Sequence, residues 1–360
     1  MSDWQELTIE QVEQEANDTI HVTLGVPEHL SQGFEFKQGQ YLTFAQDIAG
    51  EEVRRSYSIC AGVGEPLSVA IKRIEGGAFS EHAHENFEVG ATVQVSPPEG
   101  SFYSELDTGQ SKNYLLIAAG SGITPILSIA KSVLAIEPNS QVTLLYGNQR
   151  SSDIIFREQL LWLKNRYMQR LQWINIFSRE RQDAPILNGR INNSKGAELN
   201  GRLIDILSYH EFFLCGPEGM ISEVSRGLRS MGIDEARIHY ELFFASAEDA
   251  RIAIEKHQER ARQYAGLNTA VSVRYGGREI AFDLTADGEN ILDGAANHGL
   301  ELPFSCKGGV CATCKARLVE GEVDMDLNHA LSAEEVAAGF VLTCQAHPIS
   351  DRVIVDFDVI

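Results

Sequence analysis

The amino-acid sequence predicts three domains of different fold class. Residues from about 5 to 105 alternate between short apolar segments and turns rich in Gly, Pro or acids, which is typical of an antiparallel β-barrel. From Tyr114 the pattern changes to buried strand, glycine-rich turn and helix, which predicts an α/β domain with a parallel sheet. The segment from residue 268 onwards combines short strands, one helix and a group of cysteines, which predicts a small α+β domain.

Apolar spacing places the individual elements. The predicted barrel strands are Ile20–Leu24, Tyr41–Phe44, Ser56–Cys60, Leu67–Ile71 and Thr92–Ser96, with a helix ending near Asn86. The predicted α/β elements are strands Tyr114–Ala119, Gln141–Tyr146, Leu171–Phe177 and Phe212–Leu214, and helices Ile126–Ala135, Ile154–Asn165 and Met220–Met231. The last domain is predicted to hold strands Val271–Tyr275, Arg278–Leu284 and Val353–Phe357, and a helix Ile291–His298. We therefore place domains at 1–108, 109–245 and 268–360, with a charged, partly helical linker at 246–267.

Composition and charge argue against several classes of partner. The chain has 360 residues, 43% of them hydrophobic, and a net charge of −21, which repels nucleic acid and anionic membranes. Its most apolar stretch, Tyr114–Ala130, is interrupted by Gly120, Gly122 and Pro125 and is too short to cross a bilayer. The acidic start, Met1–Gln14, lacks the apolar core of a signal peptide. We expect a cytoplasmic protein that binds neither nucleic acid nor membrane.

A group of cysteines near the C-terminus is the most specific motif. The four residues are Cys306, Cys311, Cys314 and Cys344. The spacing C-x4-C-x2-C with a distant fourth cysteine is that of a plant-type [2Fe–2S] cluster, and Gly308 and Gly309 let the backbone approach the sulfides. Structural zinc sites usually use two C-x2-C pairs, and only one is present. A disulfide framework does not suit a long chain without a secretory signal.

The run Arg55-Ser56-Tyr57-Ser58 has the residue types of a flavin site beside a sheet. A flavin needs a flat aromatic ring against the isoalloxazine, a hydroxyl near its N5 atom and a cation for its phosphate. Tyr57, Ser58 and Arg55 supply these three groups. The alternative is an ordinary strand with an exposed arginine and a packed tyrosine.

A glycine pair lies about twenty residues further on, in Gly76-Gly77-Ala78-Phe79-Ser80. Paired glycines before a helix N-terminus offer bare N–H groups to a pyrophosphate. Ser80 also fits the simpler role of helix N-cap residue. The two segments together favour a flavin site more than either does alone.

The second domain has a dinucleotide-type turn. Gly120-Ser121-Gly122-Ile123-Thr124-Pro125 follows the first buried strand and opens the first helix, which is the context a pyrophosphate-binding turn requires. The alternative is a simple strand-to-helix turn. The fourth strand ends in Cys215-Gly216-Pro217 at the carboxyl edge of the sheet, where ligands bind in such folds. Cys215 is therefore a candidate wall for a nicotinamide, or else a small core residue.

These motifs occur in the order found in the ferredoxin–NADP reductase superfamily, which the chain resembles over nearly its whole length. The cysteine segment resembles the plant-type ferredoxin domains, of β-grasp fold, that are fused to some members. The order with flavin first and ferredoxin last is shared by reductases of phthalate and ketosteroid oxygenases. The cysteine loop, Tyr146-Gly147-Asn148, Ala337-Ala338-Gly339 and Val355-Asp356-Phe357-Asp358 are similar to those of phenylacetyl-CoA epoxidase reductase subunits.

The resemblance implies cofactors and roles. It implies FAD, although some relatives with this domain order use FMN, together with a nicotinamide dinucleotide and a [2Fe–2S] cluster. Ser58 is expected near flavin N5, with Thr124 and Cys215 placing the nicotinamide. Glu241 resembles the family's carboxylate near the flavin, and a surface salt bridge is its alternative. The implied cofactor-binding residues are Arg55, Tyr57, Ser58, Lys72, Gly77, Phe79, Ser80, Gly120, Gly122, Thr124, Pro125, Cys215 and Gly216.

The choice of nicotinamide depends on two further segments. NAD sites carry an acid on the ribose, but no acid follows the second strand before Asp153, whereas Arg150 is present. The third strand ends in Ser178-Arg179, which resembles the pair that holds the 2′-phosphate in NADPH-dependent relatives. The arginines are otherwise solvated surface charges. NADPH is favoured over NADH.

A reductase of this order delivers electrons to a partner protein. The resemblance implies the oxygenase component of a multicomponent monooxygenase, with phenylacetyl-CoA epoxidase first and another ring-hydroxylating or steroid oxygenase as the alternative. A redox-sensing binding protein is a second class of function, which sustained turnover of an artificial acceptor would exclude.

Overall fold

The structure is a computed structural model that describes residues 4–16, 18–48, 50–242, 247–304, 309, 312–328 and 330–359. It divides into two compact units, Met1–Phe243 and Phe244–Ile360. The first unit holds an antiparallel and a parallel sheet, and the second holds a mixed sheet. Within the described residues, no helix is both long and apolar enough to span a membrane.

The first sheet forms a barrel. Its strands are β1 Gln5–Ala16, β2 Thr19–Gly25, β3 Tyr41–Ile48, β4 Glu51–Ser58, β5 Ser68–Lys72 and β6 Thr92–Val95, with helix α1 Ala78–Asn86 between the last two. The strands pair antiparallel in the order β4-β3-β6-β1-β2-β5. An antiparallel bridge between Ile59 and Val69 joins the two ends of this order and closes the sheet. Alternate residues such as Leu7, Ile9 and Val22 fill the interior, so the predicted barrel is confirmed.

The second sheet is parallel, as predicted. Its strands are β7 Asn113–Ala119, β8 Gln141–Asn148, β9 Leu171–Phe177, β10 Glu211–Gly216 and β11 Ile238–Leu242, and its helices are α2 Ile123–Ile136, α3 Arg157–Arg166, α4 Asn193–Leu199 and α5 Glu218–Ser230. The strand order is β11-β10-β7-β8-β9. The chain proceeds outwards in one direction from β7 to β9 and then returns to β10 on the other side. The carboxyl ends of β7 and β10 therefore form the switch point at which ligands bind in such sheets.

The C-terminal unit has the predicted α+β architecture. Its elements are α6 Ala247–Gln263, β12 Asn268–Tyr275, β13 Arg278–Thr285, α7 Ile291–Asn297, β14 Lys315–Glu320, β15 Val323–Met325, α8 Ala333–Ala337, β16 Phe340–Leu342, β17 Ala346–Pro348 and β18 Arg352–Asp356. The main sheet has the order β13-β12-β18-β14-β16, with the closing strand β18 parallel to β12. Residues such as Val271, Ile291 and Val355 form its core. This arrangement agrees with the β-grasp prediction.

Helix α6 occupies most of the segment predicted as a linker and is attached to the C-terminal unit by charged groups. The Arg260 side chain is 3% exposed. It donates to the Ala286 carbonyl at 3.1 Å, to Asp324 at 2.8 Å and to Asp326. Burial alone would raise the pKa of Asp326, but hydrogen bonds from His347 and Arg260 hold it below its usual value. The domain boundaries drawn from the sequence stay a prediction.

Candidate active site

The predicted glycine turn lies against the end of β10. Gly120 has a φ of +54°, which favours glycine. A Cβ atom on Gly122 would stand 2.3 Å from the carbonyl oxygen of Cys215, a distance that only glycine allows. The Thr124 hydroxyl donates to the Ser121 carbonyl at 3.1 Å and closes the first turn of α2, which also contains Pro125. The structure thus brings together the turn and the Cys215-Gly216 segment at the switch point of the sheet.

Three predicted catalytic residues meet next to this turn. The Ser58 hydroxyl, at the end of β4, donates to Oε2 of Glu241 at 3.2 Å. Glu241 lies on β11 directly opposite Cys215 on β10. Ser58, Glu241 and Cys215 are 3%, 8% and 0% exposed. A surface salt bridge, the alternative for Glu241, does not fit a carboxyl group with so little exposure.

Burial controls the protonation of this group of residues. It raises the pKa of Glu241 to about 8, and the hydrogen bond from Ser58 opposes the shift only in part. Burial also raises the pKa of the Cys215 thiol well above its usual value, and the neighbouring Glu241 charge adds to the effect. Both groups are therefore neutral near pH 7, so the site holds a carboxylic acid rather than a carboxylate.

The predicted flavin residues lie on β4, β5 and α1, and their side chains differ in surroundings. The half-buried Tyr57 ring lies 5.7 Å from the Phe79 ring, and burial raises the pKa of its hydroxyl. Phe79 is 1% exposed and belongs to the barrel core. Arg55 is exposed and donates to the Arg54 carbonyl at 2.7 Å, while Lys72 pairs with Asp18 at 3.3 Å.

The loop before α1 is shaped by Ser80. The Ser80 hydroxyl accepts from the Ile74 amide at 3.1 Å and donates to the Gly77 carbonyl at 3.1 Å. Gly76 has a φ of +74°, and a Cβ on Gly77 would stand 2.7 Å from the Ser80 hydroxyl. The N-cap residue of α1 is Gly77, so the alternative that Ser80 is the N-cap is wrong. Ser80 instead fixes the glycine pair in front of the helix.

The residues predicted to bind the 2′-phosphate of NADPH follow the carboxyl ends of β8 and β9. They are Arg150, Ser178 and Arg179. The Ser178 amide donates to the Asn148 carbonyl at 3.0 Å, and the Arg179 amide donates to the Gln149 carbonyl at 2.9 Å. This pairing places Arg179 beside Arg150, and both side chains are exposed. The next residue, Glu180, accepts from the Ser151 amide and hydroxyl at 2.8 and 2.9 Å, and these bonds lower its pKa.

Two of the four predicted cluster ligands can be described. Cys314 and Cys344 are buried, and their Sγ atoms lie 3.2 Å apart, far beyond the length of about 2.05 Å of a disulfide. The Thr343 amide and hydroxyl both donate to the Cys314 carbonyl, at 3.2 and 3.0 Å, and so tie the two segments together. Two buried sulfurs side by side fit thiolates that share a metal centre.

The rest of the cysteine loop is only partly described. Cys306, Gly308 and Cys311 lie outside the described residues. Gly309 has a φ of +79°, and a Cβ there would stand 2.9 Å from the Leu327 carbonyl oxygen. The loop therefore needs glycine at this position because the backbone of a neighbouring segment passes close to it.

Sequence reasoning gave no role to Tyr146, although it belongs to a motif that supported the family resemblance. The fully buried Tyr146 hydroxyl donates to the Gly120 carbonyl at 3.0 Å. This contact joins β8 to the glycine turn across the sheet. A tyrosine in an apolar strand gives no sequence signal for such a contact, since it depends on how the turn folds back.

Comparisons with known proteins agree with this architecture. Residues 6–103 match the oxidoreductase FAD-binding domain family, residues 116–226 the oxidoreductase NAD-binding domain family, and residues 274–348 the 2Fe-2S iron-sulfur cluster binding domain family. The chain is similar in fold to phthalate dioxygenase reductase, with a TM-score of 0.61, 22% identity and coverage of 98% of both chains. It is therefore a flavin- and iron–sulfur-dependent oxidoreductase.

Its curated relatives define the family more narrowly. The chain is 42% identical over 360 residues, 99% of each chain, to one subunit of 1,2-phenylacetyl-CoA epoxidase from Escherichia coli K12. It is 30% identical to the ferredoxin reductase component of 3-ketosteroid-9-alpha-monooxygenase from Rhodococcus rhodochrous, with 98% of this chain and 96% of that one covered. The glycine betaine monooxygenase reductase subunit of Pseudomonas aeruginosa is also 30% identical, with 89% and 87% covered. The chain belongs to this family of oxygenase reductase components.

Proposed function

We propose that this chain carries electrons from NADPH, through FAD and a [2Fe–2S] cluster, to the oxygenase component of a phenylacetyl-CoA epoxidase. The observation that carries the proposal is the meeting of Ser58, Glu241 and Cys215 beside the glycine turn at the switch point of the parallel sheet. This is where a flavin held by the barrel and a nicotinamide held by the sheet can approach each other. The paired sulfurs of Cys314 and Cys344 supply half of the proposed cluster site.

Each proposed binding residue has a physical task. The Gly76 and Gly77 amides already donate to Glu81 at 3.1 Å and to the Ile74 carbonyl at 2.9 Å, so the flavin pyrophosphate is met by the amides in the first turn of α1. Arg55 and Lys72 provide positive charge, and the Tyr57 ring packs on the isoalloxazine. The Gly120–Pro125 turn holds the pyrophosphate of the nicotinamide dinucleotide. A flavin held by these residues would supply the chemistry that links the two-electron hydride of a nicotinamide to a one-electron [2Fe–2S] cluster.

The neutral state of Glu241 suits hydride chemistry at this position. A carboxylate here would place a negative charge where the transferred hydride already brings electron density. Burial disfavours this charge near pH 7, because it raises the pKa of Glu241 to about 8. Glu241 thus holds a proton next to the Ser58 hydroxyl, and Cys215 forms an uncharged wall of the site.

We assign NADPH rather than NADH to the nucleotide site on the basis of Ser178, Arg179 and Arg150. The β8–β9 pairing brings the two arginines to one edge, and both are exposed to a ligand. Glu180 lies beside them, but its carboxylate already accepts two hydrogen bonds from Ser151. The Glu180 charge also interacts with that of Arg150, so Arg179 is the arginine on which the assignment mainly rests.

Arg179→Ala tests this assignment. We expect the change to weaken NADPH use by about 1.5–3 kcal/mol, the value of a charge-assisted hydrogen bond, and to leave NADH use nearly unchanged. The measurement is kcat/KM for both nucleotides with ferricyanide as acceptor. Arg181→Ala, which removes another exposed arginine two residues away, is the matched control. Equal losses for NADPH and NADH would contradict the assignment.

The oxygenase partner is tested by reconstitution. The chain is mixed with purified oxygenase components of phenylacetyl-CoA epoxidase, ketosteroid monooxygenase and glycine betaine monooxygenase, each with its own substrate. We expect coupled product formation with the first and little with the other two. A higher rate with either of the others would contradict the proposed partner while leaving the reductase function intact. We also place the chain in the cytoplasm, where reducing conditions preserve thiolate ligands.

A further inference from the structure

The hydroxyl group of Tyr146 connects three segments of the nucleotide-binding sheet. Tyr146 lies on β8 and is completely buried. Its hydroxyl donates to the Gly120 carbonyl at 3.0 Å and accepts from the Ile155 amide at 3.4 Å. Burial raises the pKa of this hydroxyl, so it stays protonated and remains a donor. The glycine turn is therefore joined through one oxygen atom to the segment that precedes α3.

The segment before α3 is itself held firmly. Phe156 has a φ of +61°, a conformation that is costly for a residue with a side chain. Its amide donates to Oε2 of Glu15 on the barrel strand β1 at 3.2 Å, and Gln159 donates to the other oxygen of Glu15 at 3.3 Å. The Phe156 ring is buried and meets the His21 ring edge-on at 5.5 Å. The Ile155 amide that Tyr146 contacts is thus a fixed point.

Within the glycine turn, the Gly120 carbonyl also accepts a local hydrogen bond from the Ile123 amide, which does not tie the turn to the rest of the sheet. Gly120 has no side chain to limit its backbone, and its φ of +54° is one of several conformations open to glycine. On its far side, Gly122 is confined by the close approach to the Cys215 carbonyl. The hydrogen bond from Tyr146 fixes the Gly120 peptide at the near side. Together the two contacts set the direction of the amides that follow.

We propose that Tyr146 is a positioning residue for dinucleotide binding, whose hydroxyl holds the Gly120 peptide so that the glycine turn and the start of α2 keep the shape that receives the pyrophosphate. The inference rests on the proposed function, because it needs a dinucleotide at this turn. The inference adds Tyr146 to the nucleotide site. This residue contacts the glycine turn and not the dinucleotide itself. Its loss should weaken binding of the pyrophosphate without changing the reacting groups.

The chain offers a matched control for the test. Tyr114 lies on the neighbouring strand β7 and is also completely buried, and its hydroxyl donates to Glu137 at 2.9 Å. Tyr114→Phe therefore removes one buried hydroxyl hydrogen bond from the same sheet but leaves the glycine turn untouched. Both variants are made in the full chain, and flavin content and melting temperature are recorded for each.

The first measurement is equilibrium binding of ADP-ribose, which carries the pyrophosphate but no nicotinamide. We expect Tyr146→Phe to weaken this binding about threefold to tenfold, the net value of one hydrogen bond, and to raise the KM for NADPH by a similar factor with little change in kcat. Tyr114→Phe should leave both values unchanged. Unaltered ADP-ribose affinity in Tyr146→Phe, or equal losses in the two variants, would overturn the inference.

A second measurement does not depend on ligand binding. Hydrogen exchange of the amides at residues 121–124 should be faster in Tyr146→Phe than in the parent chain, and unchanged in Tyr114→Phe. Equal exchange in Tyr146→Phe and the parent would overturn the inference even if Tyr146→Phe proved less stable. Failure of the parent chain itself to bind ADP-ribose would instead refute the proposed nucleotide site.

Discussion

Replacing Glu241 with Gln should change how the stability of the first unit depends on pH. The substitution keeps the shape of the side chain and an oxygen for the Ser58 hydrogen bond, but removes the proton that the buried carboxyl holds. In the folded chain the pKa of Glu241 is raised to about 8 from 4.5. Between these two values the folded state binds one proton more than the unfolded state. Stability therefore falls as pH rises through this window.

The size of the effect follows from the shift. Each pH unit within the window costs about 1.36 kcal/mol, so the change from pH 5 to pH 8 amounts to about 4 kcal/mol. Glu241 is 8% exposed, so solvent screening reduces this figure little. The Gln variant has no such slope. We expect parent and variant to unfold at similar temperatures at pH 5, and the variant to be more stable by about 4 kcal/mol above pH 8.

The assay is thermal unfolding of the full chain at a series of pH values, with flavin release as the signal that reports unfolding. For a unit of this size, about 4 kcal/mol corresponds to a difference in melting temperature of about 10 °C. Glu211→Gln is a control, because the pKa of Glu211 is shifted in the opposite direction and its effect on stability has the opposite dependence on pH. Although burial opposes the shift, hydrogen bonds from His239 and Lys112 lower the pKa of Glu211, so its contribution is present above pH 4.5 and lost below it. A parent-to-variant difference for Glu241 that did not change with pH would refute the reasoning.

Three further predictions concern the cluster, the glycine turn and helix α6. Cys344→Ser should abolish the visible [2Fe–2S] spectrum, whereas Cys60→Ser, at a buried cysteine of the barrel region, should keep it; a Cys344 variant with full iron and colour would contradict the ligand assignment. Gly122→Ala should lower the melting temperature by an amount equivalent to about 1–3 kcal/mol, because its Cβ would meet a carbonyl at 2.3 Å. Gly33→Ala, where nothing lies within 4 Å, should leave it unchanged. Arg260→Met should destabilise the C-terminal unit by about 3 kcal/mol, because Asp324 and Asp326 lose their buried partner. The loss of cluster absorbance on heating should then occur at a lower temperature, and an unchanged transition would show that α6 is not anchored by these charges.

Much of the fold was predictable from local patterns. The strands of the barrel and of the parallel sheet have the apolar spacing of half-buried and fully buried strands, and the glycine turn follows a strand and opens a helix. The strand that carries Glu241 was missed. Its sequence is Ile238-His239-Tyr240-Glu241-Leu242, which mixes charged and aromatic residues. It shows neither the apolar alternation of a half-buried strand nor the continuous apolar run of a fully buried strand. It lies at the edge of the sheet and is defined by pairing with β10.

The parts that could not be predicted depend on contacts between distant residues. The carboxyl group of Glu241 meets the Ser58 hydroxyl across 183 positions of sequence. The charged residues of α6 have the sequence pattern of a solvated helix. That Arg260 is buried becomes clear only in the fold, where its side chain donates to Asp324 and Asp326. Ser80 was open to interpretation as an N-cap because serine before a helix is a frequent capping signal. The structure places it in the first turn, where the glycine loop folds back onto its hydroxyl.

The central claim is that electrons pass from the nicotinamide through the flavin to the cluster within one chain. Anaerobic rapid mixing of the full chain with NADPH, with flavin and cluster absorbance followed together, tests it most directly. We predict that the flavin is reduced first and the cluster afterwards, by one electron, and that Cys344→Ser shows flavin reduction without the second phase. A cluster that stayed oxidised beside a fully reduced flavin, or that was reduced before the flavin, would contradict the account.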